Sequence, residues 1–479
     1  MSAAILGELA RLGVKPTALA IDSRQVKPGD VFIAMPGHHV DGRAFAADAV
    51  ARGAAAVIYQ AGAPLALPVP ALAVDGLAAA AGDLAHAVYG KPSDHLWMAA
   101  VTGTNGKTSV SQWIAQALTM LGCKCAVIGT LGGGFPGQLT ESMNTTPDAV
   151  SLHRQLAGFV AQGAVACAME VSSIGIAEGR VNGAGFDVAV FTNLTRDHLD
   201  YHGSMAAYAA AKERLFGWPG LNAAVVNLDD AFGARLARKL SGHVATIGYT
   251  LEGHVGGDRV LAARDVTMTG AGLAFTLDGV RIEAPVVGRF NIANLLATIG
   301  ALLAGDETLA DIAGVLRAIE PPLGRMQSIG GDGRPLMVVD YAHTPDALDK
   351  ALTALRHAAT ARHGRLICLF GCGGERDPGK RPQMGAIAEK LADRVLLTSD
   401  NPRDEDPLAI IEAIVAGMKQ RPAVEPDRAA AIRRAVREAS ADDVILLAGK
   451  GHEPYQEIAG ARLPFSDLAL ARDALELPA

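Results

Sequence analysis

One stretch constrains the fold more than any other. Residues 97–118, WMAAVTGTNGKTSVSQWIAQAL, pass from an apolar run through a glycine-containing turn into a segment with Val110, Trp113, Ala117 and Leu118 at helical spacing. Gly103 and Gly106 let backbone N–H groups close around phosphate oxygens, and the helix start adds a positive dipole. Lys107 adds a point charge, and the Thr108 hydroxyl can ligate magnesium. The loop is of a shorter TGTNGKT form, because the first glycine of the usual phosphate-loop pattern would fall at Val101. An ordinary Gly-Lys turn is the competing reading, and the flanking strand and helix weigh against it. Gly103, Thr104, Asn105, Gly106, Lys107, Thr108 and Ser109 are therefore candidates for holding a nucleoside triphosphate.

Alternation of strand-like and helical runs extends from this loop in both directions. The 479 residues predict about three domains. Residues 1–89 contain a Pro-Gly turn, short apolar strands and an alanine-rich helix, and GKPSDHLW at 90–97 resembles a linker in its turn residues. Residues 90–322 alternate strands with helices, as parallel strands with crossover helices do, and 244–287 predicts an antiparallel annex of short strands. Residues 323–479 restart the alternation as a doubly wound, Rossmann-like domain, with Thr344-Pro345 and Asp406-Pro407 as helix starts. The fold class is thus α/β in three domains, the central one a parallel-sheet phosphate-loop domain.

A net charge of -7 gives no global positive field, which disfavours nucleic acid as a partner. The longest uncharged stretch, Gly53 to Val74, contains Pro64, Pro68 and Pro70, which would break a spanning helix, so no membrane insertion is expected. The first residues lack a basic start followed by an apolar core, which predicts a cytoplasmic chain. Cys123, Cys125, Cys167, Cys368 and Cys372 lack zinc or disulfide spacing, and reduced, mostly buried thiols are expected.

Two further residues have a physical reading of their own. Glu170 ends the apolar strand AVACAM, where open α/β sheets place ligands, and a carboxylate there can hold a metal. His198 follows the strand VAVFTN at the same sheet edge, although a lone histidine is weak metal evidence.

Nine ordered motifs then make the picture specific: TGTNGKTS (102–109), NTTPD (144–148), MEVSS (169–173), TNLTRDHLDYH (192–202), GRFNIANLLA (288–297), DYAHTPDAL (340–348), GCGGERDPGKRP (371–382), DNPRDEDP (400–407) and GKGHE (449–453). Together they resemble the Mur ligase family over almost the whole chain, and more narrowly its members that add diaminopimelate. The resemblance implies an ATP-dependent ligase of peptidoglycan precursor synthesis, with UDP-MurNAc-L-Ala-D-Glu, meso-diaminopimelate and ATP as small-molecule substrates, Mg²⁺ as cofactor and a monomeric state. Lys107, Glu170, His198 and Lys212 would be catalytic. Thr108, Glu170, His198 and Lys212 would hold the metal, Lys212 as its N6-carboxy (carbamylated) form, which requires a depressed lysine pKa.

By the same resemblance Asn291, Arg325, Asp340 and His343 lie on the nucleotide side. Ser23, Asn144, Thr145, Thr146, Ser172 and Arg180 bind the UDP-linked dipeptide, and Arg376, Asp400, Asn401, Pro402, Arg403, Gly449 and Glu453 receive the amino acid. Arginine forks suit its carboxylates and acidic side chains its ammonium groups. The chain departs from the family pattern at Ile174 and Glu178, and a carboxylate at 178 should repel an anionic substrate unless protonated or turned away. A lysine-adding or folylpolyglutamate synthase-like ligase, or a regulatory phosphate-loop ATPase, are the alternatives. The absence of an NKxD signature and the zwitterion-suited third domain count against the last.

Overall fold

The computed structural model describes residues 1–37, 40–142, 144–268, 272–331 and 333–476. In the N-terminal unit β1 (Leu19–Ala20), β2 (Val31–Ala34), β3 (Ala56–Gln60) and β4 (Ala71–Val74) form a four-stranded parallel sheet in chain order. Alternate residues of β2 face opposite cores. Val31 and Ile33 pack with Leu9, Leu77 and Leu84 from two helices, while Phe32 and Ala34 pack with Ala46 and Ala49 from a third. The uncharged stretch from Gly53 to Val74 is strand, loop and strand, and no described helix is long and apolar enough to cross a membrane.

The central unit holds β5 (Trp97–Thr102), β6 (Cys125–Gly129), β7 (Gly132–Phe135), β8 (Gln138–Thr140), β9 (Ala166–Glu170), β10 (Val188–Phe191), β11 (Ala223–Asn227), β12 (Ala245–Thr250) and β13 (Arg259–Ala262). They order as β13-β12-β11-β10-β5-β9-β6-β7-β8, parallel except for β7 and β8. β5 lies between β10 and β9, so the phosphate loop, Glu170 and the segment Thr192–His198 leave the sheet at one edge. The helix Lys107–Met120 follows as predicted and buries Val110, Trp113, Ile114, Ala117 and Leu118 against Leu295, Leu296 and Ile299 of the helix Phe290–Ala304. Trp113 is 1% exposed, and truncating such a side chain costs roughly 3–5 kcal/mol.

The antiparallel annex predicted for 244–287 is smaller than expected. Only β14 (Arg264–Met268), β15 (Leu273–Leu277) and β16 (Val280–Ala284) pair antiparallel, whereas β12 and β13 extend the parallel sheet. The helix Ala231–Leu240 is the cause for β12: it packs back on the sheet and returns the chain in the direction of β11. Residues 269–271 of that stretch lie outside the described residues.

In the C-terminal unit β17 (Gln327–Gly330), β18 (Leu336–Asp340), β19 (Leu366–Phe370), β20 (Arg394–Leu397), β21 (Ala423–Val424) and β22 (Val444–Ala448) order as β17-β18-β22-β19-β20-β21, all parallel except β17. A hairpin of β23 (Tyr455–Ile458) and β24 (Ala461–Pro464) follows. Both predicted proline helix starts form: the Thr344 side chain accepts from the Ala347 N–H, and Asp406 from that of Leu408. The loops after β18, β19, β20 and β22 open at the carboxyl edge of the sheet, where α/β folds bind ligands. All five cysteines are free thiols, and four are buried.

Candidate active site

The phosphate loop is shaped from beneath by the segment after β10. Asn193 Oδ1 accepts from the Asn105 N–H at 2.9 Å, Asn193 O from the Thr104 N–H at 2.8 Å, and the Thr104 hydroxyl donates to Thr195 O at 3.1 Å. Gly106 has φ 88°, and a Cβ there would lie 2.5 Å from Asn294 Oδ1, so both backbone and space require glycine. Lys107 Nζ arches back to Gly103 O (2.9 Å) and Thr104 O (2.8 Å), and burial lowers its pKa against the opposing pull of Glu170 and Asp197. Ser109 is buried beside Thr108, whose Oγ1 accepts from Arg325 Nη2 at 2.9 Å.

Other nucleotide-side candidates surround this contact. The Arg325 guanidinium sits 4.5 Å from the Tyr341 ring centroid, and Asp340 accepts from the Met326 N–H at 2.8 Å while burial raises its pKa. Asn291 Nδ2 donates to Val287 O at 2.7 Å, and its Oδ1 accepts from Asn294 at 2.9 Å. Burial and then Lys380 press the His343 pKa down to about 4, so the ring is neutral, and its Nδ1–H meets Tyr341 O at 2.9 Å.

Lys212 is 1% exposed on the helix Met205–Glu213, and its Nζ donates to Gly103 O at 2.8 Å, the same carbonyl that Lys107 uses. Burial first, and repulsion from Lys107 second, push its pKa well below the ordinary lysine value. That favours the uncharged amine, the form that reacts with carbon dioxide. Glu170, also 1% exposed, accepts from the Thr130 N–H (2.8 Å) and hydroxyl (3.0 Å). His198 has φ 51°, its Nε2 lies 3.4 Å from Asp197 Oδ2, and burial lowers its pKa. Burial raises the Asp197 pKa, but His198, His343, Lys380 and Lys107 together outweigh it and hold the carboxylate at about 2.

Among the described residues, only Asp229, Glu252 and His254 bring three acidic, histidine or cysteine ligand atoms within 4.8 Å of one another. Of the predicted metal candidates only Glu170 and His198 are of these residue types. Their donor types nonetheless fit magnesium, which takes one or two carboxylates and completes its shell with phosphate and water oxygens. Buried Glu170 and the buried Lys212 amine beneath the phosphate loop, its pKa pushed down by burial, are the observations that make this chemistry fit.

A cavity of about 1010 Å³ opens between the central and C-terminal units. Asn144, Thr145, Thr146, Ser172, Arg180 and His198 face it from one side; Arg376, Asp400, Asn401, Arg403, Gly449 and Glu453 face it from the other. Glu178 is turned away: its carboxylate takes the Arg180 guanidinium at 2.5 Å, while Arg180 Nη1 donates to Thr146 O at 3.0 Å. Ile174 lines the cavity as an apolar patch. Ser23 stays in the N-terminal unit, 5% exposed, and its hydroxyl hydrogen-bonds Asp48, outside the cavity lining.

On the amino-acid side, Arg403 has φ 53°, and Nη1 donates to Gly374 O at 2.6 Å, with Nε 3.3 Å from Glu457. Asn401 Nδ2 donates to Glu453 Oε2 at 2.8 Å. Asp400 is 8% exposed, and burial raises its pKa. Gly449 has φ 113°, and a Cβ there would strike the Asp400 carboxylate. Pro402 stiffens the turn between them without lining the cavity. Sequence reasoning missed Asp197, Lys380, Lys450 and Thr130. The first three stand inside quoted motifs, but Thr130 stands in none, and only the fold brings it to Glu170.

A phosphate loop between the strand that ends in Glu170 and the segment that carries Asp197, facing a second α/β sheet across a polar cavity, defines a ligand-joining, nucleotide-dependent class of fold. Residues 101–302 match the Mur ligase middle domain, 324–451 the Mur ligase glutamate ligase domain, and 15–117 the Mur ligase family catalytic domain. The chain belongs to the Mur ligase family. It is 53% identical over 472 residues to UDP-N-acetylmuramoyl-L-alanyl-D-glutamate–2,6-diaminopimelate ligase of Pseudomonas aeruginosa, covering 95% of this chain and 94% of that protein. The enzyme of the same name from Chromobacterium violaceum is 52% identical over 475 residues, covering 98% and 96%. A solved structure of UDP-N-acetylmuramoyl-L-alanyl-D-glutamate–2,6-diaminopimelate ligase superposes with a TM-score of 0.68 at 38% identity, covering 96% of this chain and 95% of that one.

Proposed function

We propose that the chain catalyses ATP-dependent addition of meso-2,6-diaminopimelate to UDP-MurNAc-L-Ala-D-Glu, a step of peptidoglycan precursor synthesis. The observation that carries this reading is the shared cavity onto which Asn144, Thr145, Thr146, Ser172 and Arg180 open from one side and Arg403 and Glu453 from the other. The D-Glu γ-carboxylate oxygen attacks the γ-phosphorus of ATP, the bond to the bridging oxygen breaks, and ADP leaves. In the resulting acyl phosphate the carbonyl carbon accepts the diaminopimelate amine. The amine loses a proton, the C–O bond to phosphate breaks, and an amide and inorganic phosphate remain.

Within that sequence Lys107 and the glycine-loop N–H groups neutralise and orient the triphosphate. Arg180 and the Thr145–Thr146 hydroxyls place the dipeptide, and the Arg403 fork engages the far carboxylate of diaminopimelate. Thr108, Glu170, His198 and a carbamylated Lys212 would hold magnesium, which would supply charge neutralisation at the phosphates. Residues 1–89 carry the uridine end through Ser23, 90–322 the ATP and 323–479 the amino acid. Meeting of the last two units excludes water, which would hydrolyse the acyl phosphate. The working state is a monomer in the cytoplasm.

ADP release tests the reading. It should require UDP-MurNAc-L-Ala-D-Glu and rise further with meso-diaminopimelate; turnover of ATP indifferent to both compounds would return the chain to the class of regulatory ATPases.

A further inference from the structure

Lys450 is a fully buried lysine to which the reaction above gives no task. It follows β22 inside GKGHE, between Gly449 and Gly451, whose φ values of 113° and 57° turn the backbone so that the side chain runs beneath the cavity. Its Nζ donates to Asn401 Oδ1 and to Glu453 Oε2, each at 2.9 Å. Asn401 and Glu453 line the cavity, and Lys450 does not. The Tyr455 and Phe465 ring centroids lie 5.9 Å from the ammonium, so rings rather than water flank it.

The contacts fix the orientation of both neighbours. Asn401 Oδ1 takes Lys450 Nζ and the Glu457 N–H (3.0 Å), which leaves only Nδ2 to turn toward Glu453 and the cavity. Glu453 Oε2 takes Lys450 and Asn401, while Oε1 accepts no hydrogen bond among the described residues and stays open for an incoming ammonium. Charge points the same way. Arg428 and Asp467 neutralise each other, both side chains 0% exposed at 2.6 Å, and the Lys450 ammonium pairs with Glu453 at 2.9 Å.

We infer that Lys450 is the positioning residue of the amino-acid pocket, holding Asn401 as a donor and Glu453 as an acceptor for the zwitterionic end of the amino acid. The inference rests on the diaminopimelate reading of that pocket. Lys450 touches no reacting atom, so its removal should act on amino-acid binding and leave the other substrates alone.

The test is steady-state kinetics of Lys450→Met and Lys450→Arg with each substrate varied in turn. Loss of a charge-assisted hydrogen-bond pair predicts a KM for meso-diaminopimelate raised roughly 10- to 100-fold in Lys450→Met. The KM values for ATP and the UDP-linked dipeptide should be unchanged, and Lys450→Arg should recover most of the loss. Should Lys450→Met fail to fold by circular dichroism, Lys450→Gln, which is one atom shorter and uncharged but keeps a donor, takes its place in the same assays. An unchanged diaminopimelate KM, or KM values for all three substrates rising together, overturns the inference. Arg403→Ala, run alongside, separates the two levels: if it raises the diaminopimelate KM and the Lys450 variants do not, only the inference fails, and if neither does, the pocket reading fails.

Discussion

At Lys212 an ammonium would have to sit without solvent beside a second lysine, and the protein meets that cost by favouring the neutral amine. Lys212→Ala should therefore abolish ligation while leaving circular dichroism unchanged, and acetate added to the variant should restore part of the activity. Normal turnover by the variant, together with no carbamate mass on the intact protein in bicarbonate, would remove the assignment. The residue was legible only through family resemblance: in AAYAAAKERLF a lysine reads as a solvated helix face, and nothing local tells that the Gly103 carbonyl, 109 residues away, closes over it. His153 gives a second case. It is 0% exposed, donor-linked through Nε2 to Asn182 O, and faces His86 and Asp83 across the seam with the N-terminal unit. Burial holds its pKa at about 4, against 6.5 in its absence. The unfolded chain thus binds more protons between those values, and stability is lost as pH falls from 6.5 toward 4, by up to about 3 kcal/mol in all. Urea midpoints at pH 7.5 and pH 5 should fall more in the wild type than in His153→Gln; equal falls would show that another group carries the loss.

Single elements were legible where local chemistry decides them. The glycine loop, the helix from Lys107 and the proline-started helices at Thr344 and Asp406 all follow from residues within one or two turns of each other. Strand direction was not, because short strands between glycines carry no sign of whether the chain returns by a hairpin or a crossover. β12 and β13 therefore joined the parallel sheet against expectation. Register and loop shape are likewise set by partners distant in sequence, as Gly106 shows against Asn294. Gly106→Ala adds a Cβ at φ 88° with 2.5 Å of room, so it should distort the loop and weaken ATP binding by at least about tenfold in equilibrium dialysis. Unaltered ATP affinity would contradict a phosphate cradle built from this backbone.

Across the molecule, the alternation of strands and helices announced three α/β sheets, but not which loops meet. Asn105 of the phosphate loop donates to Asp346 at the start of a C-terminal helix (2.8 Å), Arg196 pairs with Asp377 (2.9 Å), and Arg325 reaches Thr108. Each contact spans more than 180 residues of chain, so no spacing rule could have found it. The motifs supplied the parts of the cavity, Asp197 and Lys450 among them without a task; the fold brought in Thr130 and showed what those two touch. The central claim is the amino acid chosen. Lysine lacks the second carboxylate that Arg403 is placed to engage and so forgoes a charge-assisted contact worth roughly 1.5–3 kcal/mol. The direct measurement is product mass after incubating the protein with ATP, UDP-MurNAc-L-Ala-D-Glu and equimolar meso-diaminopimelate and L-lysine. The account predicts the diaminopimelate product almost alone, and loss of that preference in Arg403→Ala; equal or greater incorporation of L-lysine by the wild type would contradict it.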